Sequence, residues 1–227
     1  MKWDVSDYLS RSTMPLIQRI LSETGATLAV WHITESAAEL SAMLEHPEYH
    51  APLTSSLKPE SRRLREVLAV RCLLKELCGV ERIVAYTSFG APYLLDKEFG
   101  SSPSEHEAIA ISHTENYAVL MYSYASARPI GVDIERLGTK VPRVVSRFLS
   151  DTEQSFLTDL LHMHLAWSAK EAAYKVLGRD YYDLRSTTQI ETLDTDRHLI
   201  TLRLVYCSAP MQLSYIVSDD YVLVWTL

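Results

Sequence analysis

The sequence predicts an α+β fold made of two similar halves. Three observations carry that prediction. Apolar, β-branched runs of strand length occur together with two long helical periodicities. The order reads strand, helices, strands, and then again strand, helices, strands. With 227 residues, 47% of them hydrophobic, the chain can bury one large core or two small ones. The change of half falls near residue 125, giving an N-terminal half over 1–125 and a C-terminal half over 126–227. No direct repetition of sequence is visible, so the pseudo-duplication rests on element order alone.

In the first half, Ala26 to Ile33 is an apolar run and reads as a strand. Ser36-Ala37-Ala38-Glu39 offers a capping box that opens a short helix. A loop containing Pro47 and Pro52 follows. Pro59 near the first turn and Gly79 after the last bracket a strong helix. Its apolar stripe is Leu64, Val67, Leu68, Leu74 and Leu77. Arg62, Arg63, Arg65, Arg71 and Lys75 make its other face basic. Arg82 to Ser88 reads as a strand and Phe89-Gly90-Ala91-Pro92-Tyr93 as a turn. Residues 96–107 are polar and loop-like. Ala108–Ser112 and Tyr117–Tyr124 form a hairpin through Thr114-Glu115-Asn116.

The second half opens with a strand over Pro129–Glu135. A short helix spans Pro142–Leu149, and Ser150-Asp151-Thr152-Glu153 is a second capping box. A long helix covers Leu160–Leu177, with Gly178 as its C-terminal cap. Four strands complete the chain: Thr188–Leu193, Leu199–Tyr206, Gln212–Ser218 and Tyr221–Thr226.

Composition narrows the function. A formal net charge of −7 argues against a protein living on nucleic-acid phosphates, while leaving room for a local basic patch. Cys72, Cys78 and Cys207 fit neither a zinc spacing nor a full disulfide framework, which points to a reducing compartment. Acids stand in Met1–Asp7 where a signal peptide needs an apolar core, and no apolar run reaches the ~18 residues of a membrane span. A cytoplasmic protein is the expectation.

The chemistry-bearing residues lie in a few segments. In Gly131-Val132-Asp133-Ile134-Glu135, strand alternation puts Asp133 and Glu135 on one face, and Gly131 leaves room beside them. Such paired hard oxygens suit magnesium, although a solvated strand face carries them too. Trp167, Glu171 and Lys175, spaced i, i+4 and i+8, share one arc of the long helix, apart from the core stripe Leu161, Leu165, Ala169, Ala172 and Val176. Glu171 and Lys175 could equally be a surface pair. Ser112-His113 ends a strand before a tight turn, where an imidazole can meet a phosphate. Arg62 offers a guanidinium fork. His162 and His164 point apart and carry no expected metal role. Glycine-rich phosphate loops are missing from the chain, so phosphate binding must run through metal, lysine, arginine and histidine.

Five of these segments, in order, resemble the 4′-phosphopantetheinyl transferases of the surfactin-synthetase-activating type. They are Arg62–Leu74, Gly90-Ala91-Pro92-Tyr93, Ile111-Ser112-His113-Thr114, Gly131–Glu135 and Trp167–Lys175. The resemblance covers roughly residues 57–178. It implies a monomer of two α+β halves with coenzyme A in the cleft between them. Asp133, Glu135 and Glu171 would hold Mg²⁺ against the pyrophosphate, with Lys175 contacting it. Arg62 and His113, assisted by Ser112, would bind phosphates of the 3′-phospho-ADP portion. Gly90 would bring backbone close to the nucleotide. The partner would be an acyl or peptidyl carrier protein, with no nucleic acid and no membrane. Ala91 departs from the family's usual lysine; either the backbone makes that contact or another base such as Arg63 substitutes.

The implied reaction moves 4′-phosphopantetheine from coenzyme A to a carrier serine and releases adenosine 3′,5′-bisphosphate. Glu171 is the expected proton acceptor, with a cation-bound water as the alternative. Lys140, Arg143 and Arg147 could form a local patch for an acidic carrier. Two other readings are a catalytically silent coenzyme A-binding relative and a structural module with a solvated acidic strand.

Overall fold

The computed structural model describes residues 16–95, 103–124, 128–178 and 182–227. The acidic N-terminal segment, part of the 96–107 loop and the half boundary at 125/126 lie outside the described residues.

Four strands, β1 (Leu16–Leu21), β2 (Thr27–His32), β5 (Ala108–Thr114) and β6 (Tyr117–Ser123), form an antiparallel sheet in the order β1-β2-β6-β5. Five more, β7 (Val132–Arg136), β8 (Thr188–Asp194), β9 (Leu199–Leu204), β10 (Met211–Val217) and β11 (Tyr221–Thr226), form a second antiparallel sheet in the order β7-β11-β10-β9-β8. The short strands β3 (Val84–Tyr86) and β4 (Pro92–Leu94) pair with each other.

Period-two alternation divides these strands between three cores. Along β6, Ala118, Leu120 and Tyr122 face the helix α3 (Arg62–Cys78). Val119 and Met121 point the other way and meet Val132, Ile134, Leu223 and Trp225 of the second sheet. On β11, Val222 and Val224 turn outward to Leu165, Ala169 and Ala172 of α6 (Leu160–Leu177). The layers therefore run helix, sheet, sheet, helix. Each sheet carries one long helix on its outer face, but the two strand orders differ, so the likeness of the halves extends only to that level.

Local signals explain most element ends. Ser36 and Ser150 complete both capping boxes, opening α1 (Ala37–Ala42) and α5 (Asp151–Phe156). Gly79 ends α3 at φ 70° and Gly178 ends α6 at φ 78°, values that cost glycine little.

Several expectations need correction. Residues 16–21, given no element from the sequence, form β1; their apolar pairs flank Gln18-Arg19 and so hide the strand alternation. The proline loop holds a 3₁₀ turn at Pro47–Tyr49 and a short helix, α2 (Ala51–Thr54), because both prolines stand in first turns where no N–H is needed. Helix α3 starts after Ser61, whose hydroxyl accepts from Leu64 N at 3.2 Å, and not at Pro59. Arg71 is buried and donates to the Tyr86 hydroxyl at 3.3 Å, away from the solvated face. The helix over 142–149 is two pieces, α4 (Lys140–Arg143) and a 3₁₀ turn at Val145–Arg147.

One buried ion pair knits the second half. Lys170, fully buried, bonds Glu153 at 2.7 Å and the carbonyls of Phe148, Thr188 and Leu184. Glu153, also fully buried, accepts from Ser150 and from Ile190 N. Every polar atom of the pair is engaged, joining α5, α6, β8 and the short helix α7 (Leu184–Thr187).

Candidate active site at the seam between the sheets

The edge strands β5 and β7 lie side by side where the two sheets meet. Alternation along β5 sends Ser112 toward β7, while Ile109, Ile111 and His113 face the α3 side. Alternation along β7 buries Val132 and Ile134 between the sheets and turns Asp133 and Glu135 toward α6. Gly131 sets how closely α6 approaches: a Cβ there would stand 2.0 Å from the Ala172 carbonyl oxygen. The sequence reading of room beside the acids thus corresponds to direct backbone contact with the helix that carries Glu171 and Lys175.

Asp133 is the centre. Its Oδ1 accepts from Ser112 Oγ at 2.7 Å and from Lys175 Nζ at 3.0 Å. Lys175 Nζ also donates to the Val132 carbonyl at 2.7 Å. Asp133 Oδ2 is buried with no partner. Burial, then repulsion from Asp133, raises Glu135 from 4.5 to about 7, against a hydrogen bond from Trp167. Glu171 is raised for the same two reasons, with Lys175 opposing. Asp133 thus bears on the carboxyls of both Glu135 and Glu171.

Among the described residues, no three His, Cys, Asp or Glu side chains are gathered closely enough to hold a metal ion. The donor set still fits a divalent cation. An orphaned buried carboxylate oxygen and two carboxyls raised by burial and by Asp133 are what added positive charge would relieve.

A second cluster sits on the α3 side of β5. Arg62 Nε lies 2.9 Å from Glu66 Oε1, and Arg63 Nη1 lies 3.5 Å from Oε2. His113 Nδ1 is 3.3 Å from the same Oε2, and its Nε2 contacts Arg63 Nη1. Arg62 and His113 are thus brought together, apart from Asp133. The sequence reading missed Glu66, which is buried between them; the i, i+3 and i, i+4 spacing to the two arginines was the available signal.

Gly90 takes φ 83° in the β3–β4 turn, where Thr87 Oγ1 accepts from Ala91 N at 3.1 Å. Ser88 and Phe89 of this turn, with Tyr174 and Tyr182, line a cavity of about 690 Å³. It brings the turn opposite the end of α6 that carries Lys175. The expected docking residues Lys140, Arg143 and Arg147 are exposed, and Lys140 lies near enough to Glu135 to act on its charge. His164 is structural: it accepts from Gly138 N at 3.1 Å and bonds the Leu160 carbonyl.

The fold and site describe an α+β protein with three carboxylates and a lysine gathered at an intersheet seam. Residues 129–226 match the family model of the 4′-phosphopantetheinyl transferase superfamily. That match spans β7 to β11 and includes Asp133, Glu135, Glu171 and Lys175, but not Arg62, Gly90, Ser112 or His113. No curated protein matches the chain. Among the described residues, no helix is long and apolar enough to cross a membrane.

Proposed function

We propose that this protein transfers 4′-phosphopantetheine from coenzyme A to a serine of an apo acyl or peptidyl carrier protein. The observation that carries this is Asp133: gripped on one oxygen by Ser112 and Lys175, orphaned on the other, and crowded by Glu135 and Glu171 inside the family-matching segment.

In this reading the carrier serine oxygen forms a bond to the phosphorus bearing pantetheine. The pyrophosphate bond breaks, and its electron pair leaves on adenosine 3′,5′-bisphosphate. Glu171, its carboxyl raised by burial and by Asp133, takes the serine proton. Lys175, already turned into the site, offsets charge on the leaving phosphate. Mg²⁺ held by Asp133, Glu135 and Glu171 would neutralise the pyrophosphate. Arg62 and His113 bind the nucleotide's phosphates, and the Gly90 turn lies along the nucleotide. Ala91 supplies no side-chain cation, leaving that role to neighbouring arginines. Lys140, Arg143 and Arg147 receive the acidic carrier.

The test is direct. Incubated with coenzyme A, Mg²⁺ and several apo carriers, the protein should raise carrier mass by one phosphopantetheine group. Asp133→Ala and Glu171→Ala should abolish the gain while remaining folded. Coenzyme A binding without any mass gain would instead identify a silent relative. Charge reversal at Arg143 and Arg147 should weaken carrier affinity; unchanged affinity would remove the docking assignment.

A further inference from the structure

Ser168 stands three residues before Glu171 on α6, and the proposed reaction gives it no task. It is fully buried, and its hydroxyl has no hydrogen-bond partner. A helical serine commonly turns back onto the carbonyl four residues earlier; Ser168 does not. At about 100° per residue, Ser168 lies about 60° around the helix from Glu171 and about 20° from Lys175. It therefore shares the arc that faces β7. Two contacts fix that facing. The Ala172 carbonyl closes on Gly131, and His164 Nε2 accepts from Gly138 N at 3.1 Å. Ser168 lies midway between His164 and Ala172 on the helix. Asp133 and Glu135 lie between Gly131 and Gly138 on the opposing segment, with their side chains turned toward α6.

Asp133 supplies the complementary orphan. Its Oδ1 is taken by Ser112 and Lys175, while Oδ2 is buried without a donor. An unmatched hydroxyl and an unmatched carboxylate oxygen thus enter one seam from its two walls. We infer that Ser168 is a positioning residue for the cation site, its hydroxyl donating to Asp133 Oδ2 when that carboxylate takes a cation. The inference rests on reading Asp133, Glu135 and Glu171 as cation ligands, and deepens it. A carboxylate oxygen offers two lone pairs, so Oδ2 can meet a cation on one and the hydroxyl on the other. Hydrogen bonds of this kind orient a ligand, and losing one costs a site about ten- to hundredfold in affinity.

A structural serine and a positioning one respond differently to Ser168→Ala. Deleting a buried, unmatched hydroxyl should leave the metal-free protein as stable as before, or more so. Deleting the donor to a cation ligand should weaken cation binding. The experiment titrates the full chain with Mn²⁺, a paramagnetic substitute for Mg²⁺ read by water-proton relaxation, and records the thermal midpoint in EDTA. Ser168→Ala should lose about tenfold in Mn²⁺ affinity with its EDTA midpoint held or raised. Ser168→Thr, which keeps the hydroxyl, should bind Mn²⁺ more tightly than Ser168→Ala. Unchanged affinity in Ser168→Ala overturns the inference, as does Ser168→Thr binding no tighter than Ser168→Ala. A loss accompanied by a lower EDTA midpoint also overturns it, because a loosened seam then accounts for the weaker site. Failure of wild type to bind Mn²⁺ removes the cation ligands and this inference together. Cation binding that Ser168→Ala weakens, with no gain in carrier mass, overturns the transferase reading and leaves the inference standing.

Discussion

Lys170 and Glu171 are neighbours on α6, yet they belong to opposite kinds of environment. Lys170 points into a shell in which every donor and acceptor is matched: Glu153 at 2.7 Å and three carbonyls around one ammonium. Glu171 points to a seam where acids outnumber bases and one Asp133 oxygen has no partner. The first arrangement stabilises the fold and leaves nothing over for a ligand. The second is incompletely compensated, and added positive charge would relieve it. A single step along the helix thus separates a fully matched charge from an incompletely compensated one, and the difference lies in satisfaction, not in burial.

That contrast can be broken by substitution. Lys170→Met should carry the largest effect. It strands Glu153, and removing one partner of a buried pair costs about 3–5 kcal/mol. Denaturant titration should show a large fall in midpoint at unchanged slope. Adding Glu153→Leu should recover only part, because Glu153 also caps α5 and accepts from Ile190 N. Glu171→Gln should do the reverse. Its thermal midpoint should hold or rise, since a crowded acid is neutralised, while carrier modification falls about 100-fold, equivalent to ~2.7 kcal/mol of barrier. A fall in midpoint as large as that of Lys170→Met would erase the distinction between the two residues.

Gly131→Ala tests what holds the seam together. The added methyl would meet the Ala172 carbonyl, so α6 must withdraw from β7. Overpacking of this kind costs about 1–3 kcal/mol. The same shift parts Lys175 from Asp133, so transfer should drop alongside stability. A variant with lower midpoint and full transfer would show that the 3.0 Å contact is dispensable.

The limits of α6, both capping boxes and the facing of Asp133 and Glu135 were legible because each is written in local sequence. Helical period, a serine three residues before a glutamate, and strand alternation need no tertiary knowledge. Glu66 and Lys170 were not legible. A buried acid four residues from an arginine reads like a surface pair, and a buried lysine inside a catalytic-looking segment reads like its charged neighbours. What distinguishes them is what packs above them: β5 over Glu66, and α5, α7 and β8 around Lys170. Strand β1 escaped notice for a different reason: the apolar pairs on either side of Gln18-Arg19 break the alternation a reader would look for.

The smallest expected effect lies in the first half, at another matched pair. Arg82 forks onto both oxygens of Glu107 at 2.6 and 2.7 Å, and Tyr122 and Ser104 donate to the same carboxylate. Burial pushes Glu107 upward, but these four bonds outweigh it and hold the carboxyl at about 2, below its ordinary 4.5. The unfolded chain therefore takes up its proton first as pH falls. The contribution of Glu107 to stability is complete above about pH 4.5 and is lost progressively as pH drops toward 2. Glu107→Gln should flatten the dependence of thermal midpoint on pH in that window relative to wild type, and leave its shape above it alone. If both proteins lost stability equally steeply between those pH values, the carboxylate would not be the group titrating. The matched pair at Arg82 would then owe its place to packing, unlike the one at Lys170.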